Sequence, residues 1–252
     1  MRILYLDIEV APNLATVWAI FNQNIGINQL LETSRIMCYA AKWADTGKVI
    51  FDSEFKSDHD TMMQGLWDLM DEADIIIHYN GNKFDIPVIN REFLFYGMSP
   101  PTPYKNIDLY RTIKKRFRFT SNKLDHVAQE LGLGKKEETG GHQLWLDCMD
   151  GDGKAWKKME KYNRQDVLLL EELYAVILPW IDNHPNMALW VNPTKPTCTN
   201  CGSERIKMNG REHTKTQSYQ RYKCLDCEIP LRGRFSVLDK DVKENILVQV
   251  AP

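Results

Sequence analysis

The 252-residue chain is 43% hydrophobic and 26% charged, a balance that fits a soluble globular protein and excludes a largely disordered one. No apolar run approaches the roughly 18 residues that cross a membrane, and the N-terminus meets Asp7 after four apolar residues, so no secretory signal is expected and the cytoplasm is the expected compartment. The net charge of −2 is uneven, with nine Lys/Arg against four acids over Val191–Arg234 (net +5) and −6 over residues 1–190; this is either chance clustering or a basic piece that contacts a polyanion.

Ile3–Val10 reads as a β-strand interrupted only by Asp7 and Glu9. Met37–Trp43 and Lys48–Phe55 flank Asp45-Thr46-Gly47, a hairpin turn. Met62, Met63, Leu66, Leu69, Met70 and Ala73 keep helical spacing and form a core stripe. Asp74–Tyr79 reads as a buried strand ending at Asn80-Gly81-Asn82. A helix follows from near Asp85, with Pro87 in its first turn and Gly97 as its stop. Ser121 or Asn122 caps a short helix that ends at Gly132, Gly134–Gly153 reads as a loop, and a long helix runs from about Lys154 to Ile181. Strands followed by alternating helices and strands indicate a mixed-sheet α/β domain over residues 1–182. Pro179, Pro185, Pro193 and Pro196 mark its end, with a linker at 183–196 and a small module over 197–252.

Asp7 and Glu9, two residues apart on a strand, point to one face. Two adjacent acids in a buried strand need a cationic partner, and hard divalent ions such as Mg²⁺ or Mn²⁺ take carboxylate oxygens; a solvated strand end is the plainer alternative. Asp85 follows directly after the second buried strand, at the sheet edge where α/β active sites collect. Asp166 shares a helix face with Tyr162 and with the apolar Leu170 and Leu173, a poor place for an unpartnered acid. Four converging carboxylates can hold two metal ions, an arrangement suited to attack of water on a phosphodiester.

Leu6-Asp7-Ile8-Glu9, Asn80-x3-Phe84-Asp85 and Tyr162-x3-Asp166 together resemble the three exonuclease motifs of the DEDD nucleases, above all the proofreading exonuclease domain of B-family DNA polymerases. Asn106–Arg111 and Lys123–Gly132 extend the likeness, which covers about residues 1–180. The resemblance implies an RNase H-like mixed sheet flanked by helices, and a two-metal 3′→5′ exonuclease. By it, Asp7 bridges two Mg²⁺ or Mn²⁺ ions, Glu9 and Asp166 complete the water-activating site, and Asp85 serves the second ion. Tyr162 orients the nucleophilic water, and Asn80 and Phe84 contact the 3′-terminal nucleotide. Lys161 stands where the histidine subclass carries its His, so the chain goes with the tyrosine subclass. Asp108 is either a helix cap or a support of the site, with the cap favoured, and Asp125 is read as a surface residue.

Between Lys105 and Lys123, Arg111, Lys114, Lys115, Arg116 and Arg118 are interleaved with Tyr110, Phe117 and Phe119. Such a mixture suits a single strand through phosphate neutralisation and base stacking; the charges are read as phosphate contacts, the aromatics as inward-facing.

Cys198-x2-Cys201-x22-Cys224-x2-Cys227 has the spacing of a tetrahedral zinc site closed by four thiolates, with Gly202 permitting the turn of the first knuckle. Disulfides are the weaker alternative for a cytoplasmic CxxC pair. Cys38 and Cys148 stand apart and are read as packed thiols. Cys198–Arg232 resembles the zinc ribbons that precede catalytic domains in some transposases, except that Glu228 occupies a position where glycine is usual. Arg205, Lys207, Arg211, Lys215, Arg221 and Lys223 are its candidates for phosphate contact; a ribbon that merely caps the nuclease domain is the plainer reading. The expected function is hydrolysis of single-stranded DNA from the 3′ end by a chain with no room for a polymerase domain. RNA as substrate, or an inactive nuclease fold that binds nucleic acid through its zinc ribbon, are the alternatives.

Overall fold

A computed structural model describes residues 1–134 and 140–250. The chain divides into two compact units, Met1–Tyr174 and Ala175–Pro252. In the first, strand β1 (Ile3–Val10) is followed by a two-stranded ribbon, β2 (Leu14–Ala15) with β3 (Leu30–Glu32), and then by β4 (Ile36–Trp43) and β5 (Val49–Ser53). Helix α1 (His59–Asp71) leads to β6 (Ile75–His78), α2 (Asp85–Phe95) to β7 (Lys105–Asp108), and α3 (Leu109–Arg116) and α4 (Leu124–Glu130) follow. The unit closes with α5 (Gln143–Met149) and α6 (Gly153–Ile177), whose last residues pass into the second unit.

The five-stranded sheet has the order β5-β4-β1-β6-β7. β1 pairs antiparallel with β4 and parallel with β6, which makes the sheet mixed, as expected. Apolar side chains on one side of it, including Leu4, Leu6, Ile8, Tyr39 and Ile76, pack with the methionine-rich stripe Met62, Met63, Leu66 and Met70 of α1. Asp58 caps that helix, its carboxylate accepting from the Thr61 N–H at 2.9 Å.

Three local expectations change. The short helix Leu124–Glu130 has Lys123 at its N-cap, not Ser121 or Asn122, and no side chain caps it. Of the segment Gly134–Gly153, read as a loop, residues 135–139 lie outside the described residues, and Gln143–Met149 form α5. Leu144 and Cys148 bury into a core with Trp156 and Met159, so tertiary packing holds two helical turns between glycines that would otherwise melt them. The long helix stops at Ile177 and tightens into a 3₁₀ turn at Leu178–Trp180, because Pro179 cannot continue the α ladder.

The second unit carries a short helix α7 (Ala188–Val191), an antiparallel sheet of β8 (Ile206–His213), β9 (Ser218–Cys224) and β10 (Pro230–Ser236) in the order β10-β9-β8, and α8 (Lys240–Glu244). Among the described residues, no helix is long and apolar enough to cross a membrane.

Candidate metal centres and nucleic-acid cavity

Asp7 faces Ala40 and Glu9 faces Cys38 across the β1–β4 ladder. Residues directly opposite share a sheet face, so the two acids stand beside small side chains, and α6 packs close above them. That helix contributes Asp166, 2% exposed. One carboxylate oxygen from each of Asp7, Glu9 and Asp166 falls within 4.8 Å of the others. Three carboxylates this close repel one another unless a cation joins them, and oxygen donors suit a hard divalent ion.

Asp85 stands outside this 4.8 Å grouping. The β1–β6 pairing runs from Ile3↔Ile75 to Tyr5↔Ile77, and among the described residues no strand pairs with β1 on that side beyond Tyr5. The Asp85 carboxylate accepts there from the Ile8 N–H, between the two β1 acids. Burial, helped by the nearby Asp108 charge, pushes Asp85 up to about 6 despite the backbone N–H groups of Asp85 and Ile8, which favour its ionised form.

Asp108 opens α3 but makes no side-chain cap; its Oδ1 accepts from the Asn80 N–H at 2.8 Å. Asn80 is in the left-handed region (φ 64°), and this bond fixes the turn between β6 and α2. Asp108 thus holds the N-cap position of α3, but its side chain bonds the Asn80 turn instead of capping the helix. Asp125 is also corrected: it is half-buried and lines a cavity with Asp7.

That cavity has a volume of about 540 Å³ and is bounded by Asp7, Tyr79, Asn80, Tyr110, Ser121, Asn122, Lys123, Leu124 and Asp125. The Tyr79 hydroxyl donates to the Asn122 carbonyl at 2.6 Å, and Tyr110 meets the Tyr79 ring edge-on at 5.7 Å. Tyr110, read as inward-facing, thus belongs to the cavity wall. Phe84, at the start of α2, is 48% exposed. Arg111, Lys114, Lys115, Arg116 and Arg118 are exposed and do not line the cavity.

Tyr162 lies one turn before Asp166 and is half-buried, with the Trp145 ring of α5 edge-on at 6.1 Å. A further residue was not legible in the sequence. Asn163, fully buried, donates from Nδ2 to Asp7 Oδ2 at 2.6 Å, and its Oδ1 lies 4.0 Å from the Cys38 thiol. Burial, with Glu9 and Asp7 nearby, holds that thiol protonated well above its ordinary range. Cys38 and Cys148 are both buried and free, as expected for packed thiols.

The four other cysteines gather in the second unit, one sulfur from each within 4.8 Å of the rest. Cys198 and Cys227 Sγ are 3.5 Å apart and Cys201 and Cys224 Sγ 3.6 Å. All four are free cysteines, so no disulfide joins them. The separations fit a tetrahedral zinc ion, whose Zn–S bonds of about 2.3 Å place sulfurs roughly 3.8 Å apart. Burial opposes ionisation of Cys224, but the N–H groups of Cys227 and Asp226 bring it down to about 7. Gly202 and Glu228 follow the two knuckles with φ of 75° and 61°, so the second turn repeats the first although its residue is not glycine.

The ribbon cations divide by partner. Arg205 is tied to Asp226 at 2.5 Å and Lys223 to Glu228 at 3.4 Å. Arg221 donates to the Asn209 carbonyl at 3.2 Å. Lys207, Arg211 and Lys215 form no ion pair among the described residues. The β8–β9 and β9–β10 registers set Lys207 opposite Lys223 and Arg221 opposite Arg232. Like charges placed so cost stability.

The RNase H superfamily model matches residues 29–178. No curated protein matches the sequence. Among solved structures, the family B DNA polymerase from the hyperthermophilic archaeon Pyrobaculum calidifontis aligns with 71% of this chain at a TM-score of 0.55 and 21% identity. At that identity the likeness is one of fold, and the chain spans 24% of the polymerase. Sheet order, carboxylate cluster and superfamily match agree: the chain belongs to the RNase H superfamily.

Proposed function

We propose that the chain is a 3′→5′ exonuclease that hydrolyses phosphodiester bonds of single-stranded DNA. The observation that carries this reading is the gathering of Asp7, Glu9 and Asp166 within 4.8 Å, with Asp7 also facing the 540 Å³ cavity. Asp7, Glu9, Asp85 and Asp166 would hold two Mg²⁺ or Mn²⁺ ions, which when bound lower the pKa of water and stabilise the leaving oxygen.

The chain's own groups position the reactants. Asn80, fixed by Asp108, and the exposed Phe84 ring receive the terminal nucleotide. Tyr79 and Tyr110 shape the space for it, and the Tyr162 hydroxyl orients the attacking water. Asn163 holds the Asp7 carboxylate without neutralising it. Arg111, Lys114, Lys115, Arg116 and Arg118 meet phosphates outside the cavity. A nuclease domain of residues 1–182 is joined through 183–196 to a zinc ribbon of 197–252, kept as thiolates in a reducing cytoplasm. On the ribbon, Lys207, Arg211 and Lys215 take the phosphates first. Arg205, Arg221 and Lys223 take them after exchanging their present partners.

Purified protein is incubated with Mg²⁺ or Mn²⁺ and end-labelled single-stranded DNA or RNA, beside Asp7→Asn and Asp166→Asn variants. A ladder shortening from the 3′ end of DNA, absent with chelator and in both variants, is the expected result. Cleavage from the 5′ end, equal activity of the variants, or preference for RNA would each overturn a named part of the proposal.

A further inference from the structure

The cross-strand rows Asp7–Ala40–Phe51 and Glu9–Cys38–Ser53 put Phe51 and Ser53 of β5 on the sheet face that carries the acids. α6 lies across that face. Asn163 reaches Asp7 on one flank, while on the other Arg164 donates to the Val49 carbonyl and its guanidinium sits 5.6 Å over the Phe51 ring. The β5 flank holds a second cavity of about 530 Å³, with Phe51, Phe55 and Trp156 on its wall and Lys56, Lys154 and Lys157 around it.

Phe55 is 54% exposed, yet it stacks on the buried Trp156 ring at 5.9 Å and 18°. The Trp156 N–H donates to the Cys148 carbonyl at 2.9 Å, which fixes the indole. Core packing accounts for Trp156 but not for an aromatic ring left open on its outer side. Two acids, Asp152 and Glu160, also line the pocket, and both are engaged: Asp152 Oδ1 accepts from the Lys154 N–H at 2.8 Å. Glu160 is taken by both Lys56 and Arg164, at 2.8 Å each. Lys154, Lys157 and Lys158 are exposed on the first turns of α6, and among the described residues none forms an ion pair. Like charges three and four residues apart weaken a helix, so the row costs stability unless something anionic meets it. A ring with one free face beside uncompensated ammonium groups fits a base with its flanking phosphates.

We propose that this pocket is a second contact for the single strand, holding an interior base on Phe55 and adjoining phosphates on Lys154 and Lys157. The strand would pass over the lysine face of α6, since Trp156 and Asp166 are separated by about 15 Å along the helix. The inference rests on the cavity at Asp7 receiving the strand's end, but not on its hydrolysis.

The test is fluorescence anisotropy on the zinc-loaded protein with no Mg²⁺ or Mn²⁺ added, using labelled DNA of about 4 and about 12 nucleotides. Phe55→Ala is expected to weaken the longer strand about tenfold and leave the shorter one unchanged, with Phe55→Trp restoring affinity and so separating stacking from folding. Replacing Lys154 and Lys157 by Ala together should reduce the slope of log affinity against log salt by about 1.4. Unchanged affinity for the longer strand in these variants, or equal loss for both lengths, would overturn the pocket. Binding is read without turnover, so a protein that cleaves nothing would sink the exonuclease proposal and leave this measurement intact.

Discussion

Asn163 Nδ2 donates to Asp7 Oδ2 at 2.6 Å, joining the first strand to α6 across 156 residues of sequence. A neutral amide sets the direction of the carboxylate while leaving its charge for a cation. Groups that orient metal ligands in this way typically govern 10- to 100-fold in affinity or activity. Asn163→Ala should therefore weaken Mn²⁺ binding by about that range, read by calorimetry, with Asn163→Asp failing to rescue because it adds a fourth charge to the cluster. Unaltered Mn²⁺ affinity in Asn163→Ala would show that the bond is only structural.

Burial holds the Asp85 carboxyl at about 6, so at neutral pH it is mostly ionised and below that value mostly protonated. A divalent ion favours the charged form and must displace the proton. Cation affinity should fall as pH drops from 7 to 5, with proton release on binding rising near pH 6. In Asp85→Asn that release disappears. A pH-independent affinity in the wild type would contradict this account.

His59 draws Glu54 and the buried Glu92 into one half-buried network: Nδ1 lies 3.2 Å from Glu54 and Nε2 3.4 Å from Glu92, which also meets Arg91 at 2.8 Å. Its hydrogen bond to Glu54 and the nearby Glu92 carboxylate outweigh burial and raise its pKa to about 9. A raised folded-state pKa gives stability that is complete below the unfolded value near 6.5 and is lost as pH climbs through 9. Wild type should lose on the order of 2 kcal/mol more than His59→Gln between pH 6 and pH 9.5. Urea midpoints at the two pH values measure the difference, and parallel losses would remove His59 as the cause.

At Glu228 the second knuckle holds a side chain at φ 61°, where a non-glycine residue costs roughly 1–2 kcal/mol. Its contact with Lys223 at 3.4 Å is exposed and offsets little of this. Glu228→Gly should bind zinc about fivefold more tightly in a competition titration. Weaker binding would mean that the ion pair outweighs the backbone cost.

Removing zinc should unfold the ribbon, because four thiolates gathered within 4.8 Å supply what its small core cannot. Loss of strand signatures in residues 206–236 by hydrogen exchange after chelation, with protection of Ile75–Ile77 retained, is the expected pattern. A protected ribbon without metal would refute it.

What the sequence disclosed follows from the range of the interactions involved. Asp7 and Glu9 were legible because a period of two fixes their face, and the cysteines because a knuckle is local. The end of α6 was misread by one turn because helical periodicity continues past the point where Pro179 breaks the ladder. α5 was hidden because its seven residues are helical only while Leu144 and Cys148 are packed. Asn163 was illegible for a different reason: an amide beside Tyr162 carries no sign of its role until Asp7 arrives. Asp108 was placed correctly at the head of α3, but its preference for the Asn80 N–H depends on the neighbouring parallel strand.

The carboxylate cluster draws two acids from β1 and one from α6, and that separation has a consequence for synthesis. A ribosome adding about 5–20 residues per second needs roughly 8–30 s to pass from Asp7 to Asp166. Throughout that interval the carboxylate cluster is incomplete, so the centre can form only once α6 has been made.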